Sequence, residues 1–295
     1  MFITENPIID SPYITPENSP YFSGMKAAVI DIETTGLSSS KDMIFLIGVL
    51  SDSEDGLKVT QFLASDYEDE ASVLLSFFDF IKDTDIYLNY NGTSFDIPFI
   101  NKRCEKLGIS KRLEICRSVD YLRIFKASYL PELLPDMKLK TLEPLAGVNR
   151  KDRASGKECI SLYSDFVRKN DRTAGRKVLL HNFEDLSCFP HLNRLMGKID
   201  IHSAMGKTGF PVKSGKHIFF VQSIKKNASC IKVSGFVPGC SIDIDVYEDL
   251  FTLKADSRND IFSLEIFSDA CFPDRTPGCR EINMLVKDIL SSQTY

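Results

Sequence analysis

Two carboxylates, Asp31 and Glu33, stand at the end of the short apolar run KAAVIDI. Side chains on a strand alternate between faces with period two, so residues i and i+2 point the same way and these two acids lie side by side. Like charges so placed cost energy unless a cation offsets them, and hard oxygen ligands of this kind suit Mg²⁺ or Mn²⁺. Two further acids fall at element boundaries. Asp96 follows the run IYLNY and is expected to open a helix; Asp185, four residues after His181 in HNFED, is expected to open another. Singly, each reads as a helix N-cap. Four acids at three suitable places point instead to a site for divalent cations.

The elements that must position these groups can be read from periodicity. KAAVIDI is a continuous apolar run of the kind that forms a strand buried on both faces. MIFLIGVL and KVTQFLA are β-rich and separated by SDSEDG, which suits a turn, so antiparallel strands follow the first. EDEASVLLSFFDFIK places Val73, Leu74, Phe77, Phe78 and Ile81 on one helical face. IYLNY is a fourth strand, and after NGTS a helix carries Phe99, Ile100, Arg103 and Leu107 up to Gly108. Further helices are expected over 119–127, 139–146, 159–168 and 185–196. Beyond about residue 198 the text turns to alternating β-rich runs (HIFFVQSI, CIKVSGFV, LFTLKA, IFSLEIF) and ends in the helical EINMLVKDILSS. Residues 1–24, with four prolines and no periodicity, read as an extended arm.

The chain has 295 residues, 43% hydrophobic and 26% charged, values that exclude wholesale disorder, collagen-like repeats and a coiled coil. No apolar run reaches the roughly 18 residues of a membrane helix, and the N-terminus lacks a basic region followed by an apolar stretch, so a soluble cytoplasmic protein without membrane association is expected. The eight cysteines show no zinc-finger or disulfide spacing and read as small buried hydrophobes. His191, His202 and His217 read as surface or satisfied core residues. The net charge of −5 hides an uneven distribution: residues 1–100 carry 4 basic and 17 acidic side chains, and residues 101–177 carry 19 and 10. Such a basic middle suits a phosphate backbone, with Lys102, Arg103, Lys106, Lys111, Arg112, Arg117, Arg123, Arg150, Lys151 and Arg153 as candidates.

The strings DIETTGL, NYNGTSFDIPFI and HNFED resemble the three motifs of the DEDD (DnaQ-like) 3′-to-5′ exonucleases, and IFLIGV, KLKTLE and RKDRASGKE are similar to the YprB-type ribonuclease H-like domain. The resemblance implies that Asp31, Glu33, Asp96 and Asp185 bind two divalent cations, Mg²⁺ or Mn²⁺, with His181 as general base. Asp31 would bridge the ions, Glu33 and Asp185 would serve the water-activating ion, and Asp96 the ion at the leaving oxygen. His181 precedes Asp185 by four residues, the tyrosine-subclass spacing, and Asn91 precedes Asp96 by five, as in the proofreading domains of family B DNA polymerases. Thr34, Thr35, Gly36 and Leu37 would meet the terminal nucleotide through backbone amides and an apolar wedge. Asn91, Arg103, Asp120 and Arg123 complete the expected substrate-binding set.

The expected fold is α/β: a ribonuclease H-like mixed five-stranded sheet with helices on both faces over 25–197, preceded by the arm 1–24 and followed by a small β-rich C-terminal domain over 205–295. The expected activity is 3′-to-5′ exonucleolytic hydrolysis of single-stranded nucleic acid, DNA or RNA. Two other readings fit the same residues: a nucleic-acid-binding or partner-docking module with a degenerate site, and a structure-selective endonuclease using the same metals.

Overall fold

The run AAVIDIET is buried along its whole length except at Asp31, so it needs cover on both sides. The computed structural model, which describes residues 1–8, 16, 18–54, 56–227, 229–272 and 276–293, provides that cover. In chain order its first elements are β1 (Phe2–Ile8), α1 (Ser19–Phe22), β2 (Ala27–Thr34), β3 (Ile44–Ser53), β4 (Gly56–Leu63), α2 (Glu70–Phe80), β5 (Ile86–Asn89) and α3 (Asp96–Lys106). Then come β6 (Ser118–Asp120), α4 (Tyr121–Lys126), α5 (Leu130–Leu133), α6 (Leu139–Ala146), α7 (Gly156–Lys169), α8 (Arg172–Ser187), α9 (Phe189–Met196) and α10 (Ile201–Thr208). The remainder is β7 (Phe210–Ser214), β8 (His217–Lys226), β9 (Cys230–Phe236), β10 (Ile244–Tyr247), β11 (Phe251–Asp256), β12 (Ile261–Phe267), α11 (Ser268–Cys271) and α12 (Cys279–Ser291).

The chain divides into two compact units, the first made of Met1–Thr15, Lys26–Leu122 and Leu134–Met196. Its mixed sheet runs β1-β4-β3-β2-β5-β6. β2, β3 and β4 are antiparallel, as the two turn-linked runs after KAAVIDI require, while β5 and β6 join parallel to β2. Helices pack on both faces. The apolar stripe of α2 (Val73, Leu74, Phe77, Phe78) and the buried Ile97, Phe99 and Ile100 of α3 share one core with Phe45, Leu46 and Ile47 of β3 and with Tyr163 of α7. The Phe45 and Tyr163 rings stack with centroids 4.2 Å apart.

The sheet has six strands, not five, because the expected arm is in part a strand: residues 2–8 pair antiparallel with β4. The sequence conceals this because an outer strand covers little core, and its side chains are mostly exposed. Pro7 is tolerated there because an edge strand leaves amide positions unpaired. The helix expected over 119–127 is shorter, since residues 118–120 form β6 first. The helix expected over 185–196 is two helices, and Asp185 lies in the last turn of α8 instead of opening a helix. That helix begins at Asp171, whose carboxylate accepts the amide N–H groups of Thr173 (2.8 Å) and Ala174 (3.1 Å).

The second unit comprises Pro16–Met25, Arg123–Leu133 and Gly197–Tyr295. Its sheet, β10-β11-β12-β9-β8-β7, is antiparallel throughout. The Tyr21 hydroxyl ties α1 into this unit through His202 Nδ1 (2.7 Å) and the Asn283 side-chain amide (3.0 Å). Among the described residues no helix is long and apolar enough to cross a membrane.

Candidate active site

Three elements of the first unit converge on one acidic cluster. β2 carries Asp31 and Glu33 on one face, α3 begins with Asp96, and α8 carries His181, Asn182 and Asp185. The four-residue step from His181 to Asp185 is one helical turn, so both side chains meet the strand from the same side. α8 approaches closely because β3 has Gly48 opposite Asp31; a side chain there would overlap Asn182 Oδ1 and Leu186. A register shift between Glu33 and Thr34 ends the regular pairing beside these acids, as bulges near functional sites do.

Carboxylate oxygens of Asp31, Glu33 and Asp185 all lie within 4.8 Å of one another. Asn182 Nδ2 donates to Asp31 Oδ2 (2.8 Å), and Asn182 Oδ1 accepts from Gln61 Nε2 (2.8 Å), which fixes the amide's orientation. Asp96 Oδ1 accepts the Ile32 amide between the two strand acids at 3.1 Å, which seats the first turn of α3 against β2. His181 places Nε2 3.6 Å from Glu33 Oε1 and 3.5 Å from Asp185 Oδ2, while its Nδ1 lies 2.6 Å from Asp152 Oδ2.

The field of the cluster is strongly negative. Burial first, then the charges of Asp185, Asp96 and Glu33, push the Asp31 carboxyl well above the usual aspartate range. Burial, Asp185 and Asp96 do the same to Glu33, against the pull of Arg150. Asp96 is pushed up to about 7, mainly by burial, with hydrogen bonds from backbone amides opposing the shift. Burial would also raise Asp152, but the Ala154 amide and the His181 ring outweigh it and bring that carboxyl below its ordinary value. Such a set of buried oxygens fits hard divalent cations, which would remove the repulsion that now favours protonation. The buried thiol of Cys159 lies within 4.8 Å of Glu33 and His181 ligand atoms; burial raises its pKa, and a neutral thiol is no ligand for Mg²⁺.

One cation of the protein's own already enters the cluster. Arg150 Nη2 donates to Asp185 Oδ1, and Arg150 Nε lies 3.5 Å from Glu143 Oε1 and 3.7 Å from Glu184 Oε2. Glu184 in turn accepts the amides of Lys151 (3.0 Å) and Asp152 (2.8 Å), which fastens the segment before α7 to α8. Arg150 therefore does not belong to an exposed phosphate track. Asp152, Asn182 and Gln61 were not expected at the site. Asn182 adjoins His181 in sequence, but nothing in the residue order links Asp152, 29 residues away, to the same ring.

Several of the expected substrate contacts are engaged by partners within the chain. Arg103 is buried and forms a two-pronged ion pair with Glu70 (Nε to Oε1 2.7 Å, Nη2 to Oε2 2.5 Å), so it joins α3 to α2 instead of facing a substrate. Asp120 is buried and accepts the amides of Asn91 (2.9 Å), Thr93 (3.3 Å) and Leu122 (3.0 Å), a turn-organising role. Asn91 has φ +69°, a conformation asparagine tolerates, and serves that same turn. Arg123 is exposed in the second unit. Lys102 and Arg117 pair with Glu105 and Glu114. In the loop after the acids, Thr35 is occupied on both sides by Met43, its amide donating to the Met43 carbonyl (2.9 Å) and its hydroxyl accepting the Met43 amide (3.0 Å). Thr34 Oγ1 donates to the Gly36 carbonyl (2.7 Å), a contact that folds the loop on itself. Leu37, by contrast, is 86% exposed.

Residues 28–197 match the family model of the RNase H superfamily, and the chain belongs to that superfamily. It is 35% identical over 96 residues to a DNA polymerase of Pyrococcus glycovorans, a match covering 29% of this chain and 12% of the polymerase. The solved family B DNA polymerase from the hyperthermophilic archaeon Pyrobaculum calidifontis overlays with a TM-score of 0.46 and 19% identity over 62% of this chain and 26% of that one. The chain thus spans only a minor part of these polymerases' length.

Proposed function

We propose that the chain is a metal-dependent nuclease that removes nucleotides from the 3′ end of single-stranded nucleic acid. The observation that carries this reading is the convergence of Asp31, Glu33 and Asp185 oxygens within 4.8 Å in a partly buried site of an RNase H superfamily domain. Asp31, Glu33 and Asp185, with Asp96 beside them, would hold two divalent cations; these would supply a nucleophile at neutral pH and neutralise charge on the attacking and leaving oxygens. Asn182 holds the Asp31 carboxylate in place, and Arg150 turns Asp185 so that its other oxygen faces the cluster. His181 Nε2, 3.6 Å from Glu33 Oε1 and 3.5 Å from Asp185 Oδ2, would take the proton from the attacking water. The protruding Leu37 offers an apolar edge to a terminal base, which supports the exonucleolytic choice.

The test is a matched panel of 5′-labelled DNA and RNA strands, single and double, with Mg²⁺ or Mn²⁺, alongside circular and 3′-blocked strands. Stepwise shortening of linear single strands with the blocked and circular ones intact is expected. Cleavage of circles would favour an endonuclease, and absence of single-turnover cleavage in Mn²⁺ would leave a binding module.

A further inference from the structure

We propose that Asp152 is a positioning residue that fixes the tautomer and aim of His181, directing Nε2 over the acidic cluster; this deepens the nuclease reading above and rests on it.

A neutral imidazole carries one proton, and the group on its other nitrogen decides where it sits. Asp152 Oδ2 stands 2.6 Å from His181 Nδ1, with both side chains only 6% exposed, so solvent has little access to the contact. An ionised carboxylate can only accept, which places the proton on Nδ1 and the lone pair on Nε2. Nε2 then faces Glu33 Oε1 at 3.6 Å and Asp185 Oδ2 at 3.5 Å. Those separations exceed a normal hydrogen bond. A water among these carboxylates would find its proton acceptor at Nε2.

Asp152 is itself held at two further points. Its Oδ1 accepts the Ala154 amide at 3.0 Å, and its own amide donates to Glu184 Oε2 at 2.8 Å, on the helix that bears His181. The carboxylate cannot turn away from the ring without giving up the Ala154 amide, while the backbone bond to Glu184 ties the residue to α8. This predicts the effect of Asp152→Asn. The carboxamide oxygen stays with the Ala154 amide, its NH₂ faces the ring, and Nδ1 must accept, so the proton moves to Nε2 and the base becomes a donor.

With four histidines in the chain, ¹⁵N-imidazole NMR of the 295-residue chain can assign His181 by its loss in His181→Ala. Wild type is expected to show the Nδ1–H tautomer, Asp152→Asn the Nε2–H tautomer, and Asp152→Glu the Nδ1–H form again. In single-strand hydrolysis with Mn²⁺, kcat of Asp152→Asn should fall about 10- to 100-fold with KM nearly unchanged, less than the about 10²- to 10⁴-fold loss for His181→Ala, and Asp152→Glu should recover part of it. A wild-type Nε2–H tautomer, or normal kcat in Asp152→Asn, overturns the proposal. The tautomer is read without substrate, so a chain with the Nδ1–H form but no hydrolysis would overturn the nuclease reading and leave the dyad geometry standing.

Discussion

At the scale of single residues, the acidic cluster stores repulsion that a divalent cation would relieve. Asp96 makes the sign concrete: its carboxyl is pushed up to about 7, so the folded protein holds that proton more tightly than the unfolded chain does. The stabilisation this gives is fully present below about pH 4, the ordinary aspartate value, and is lost as pH rises through about 7. In EDTA, Asp96→Asn should therefore melt above wild type at pH 8 and lose that advantage toward pH 4. Adding Mn²⁺ at pH 8 should raise Tm of wild type more than of the variant. The asparagine can still accept the Ile32 amide, so the comparison isolates charge. Asp31→Asn should abolish hydrolysis in the labelled-strand assay with an unchanged circular dichroism spectrum, since it removes a central charge and little volume. Retention of wild-type cleavage would refute the role given to the cluster.

At the scale of elements, the site exists because α8 lies close against β2 and β3, and Gly48 sets how close. Its missing side chain leaves room for Asn182, and the close approach lets Asn182 reach Asp31 while His181 and Asp185 reach the strand acids. Gly48→Ala should cost about 1 to 3 kcal/mol in urea unfolding, the usual penalty of overpacking, and should lower kcat by displacing α8 from β2. A stable, fully active Gly48→Ala would mean the helix can withdraw without consequence. Element boundaries explain what the residue order showed and what it did not. The stripe of α2 and the apolar run of β2 were legible because burial imposes periodicity on them. α8 was misread because its N-terminal signal, the Asp171 cap, lies fourteen residues before Asp185. β1 was hidden because an edge strand need not be apolar.

At the scale of the whole molecule, the two compact units are interleaved in sequence. Residues 16–25 and 123–133 belong with 197–295, and they carry Tyr21, Phe22 and Phe125, all buried. A chain ended after Met196 should therefore expose these side chains and associate on size-exclusion chromatography, whereas the full chain should not; a monodisperse truncation would contradict the division. The amino-acid order by itself determined the α/β class, the antiparallel opening of the sheet and the β-rich C-terminal part, and it singled out Asp31, Glu33, Asp96 and Asp185 as candidates, because strand and helix periods and carboxylate chemistry are local properties. Tertiary structure alone decided that Arg103 is buried against Glu70 instead of facing a substrate, that Arg150 enters the acidic cluster, and that Asp152 backs His181. Each of those depends on a partner 29 to 35 residues away, and which charge meets which is settled only when packing brings the elements together and burial makes an unpaired charge costly.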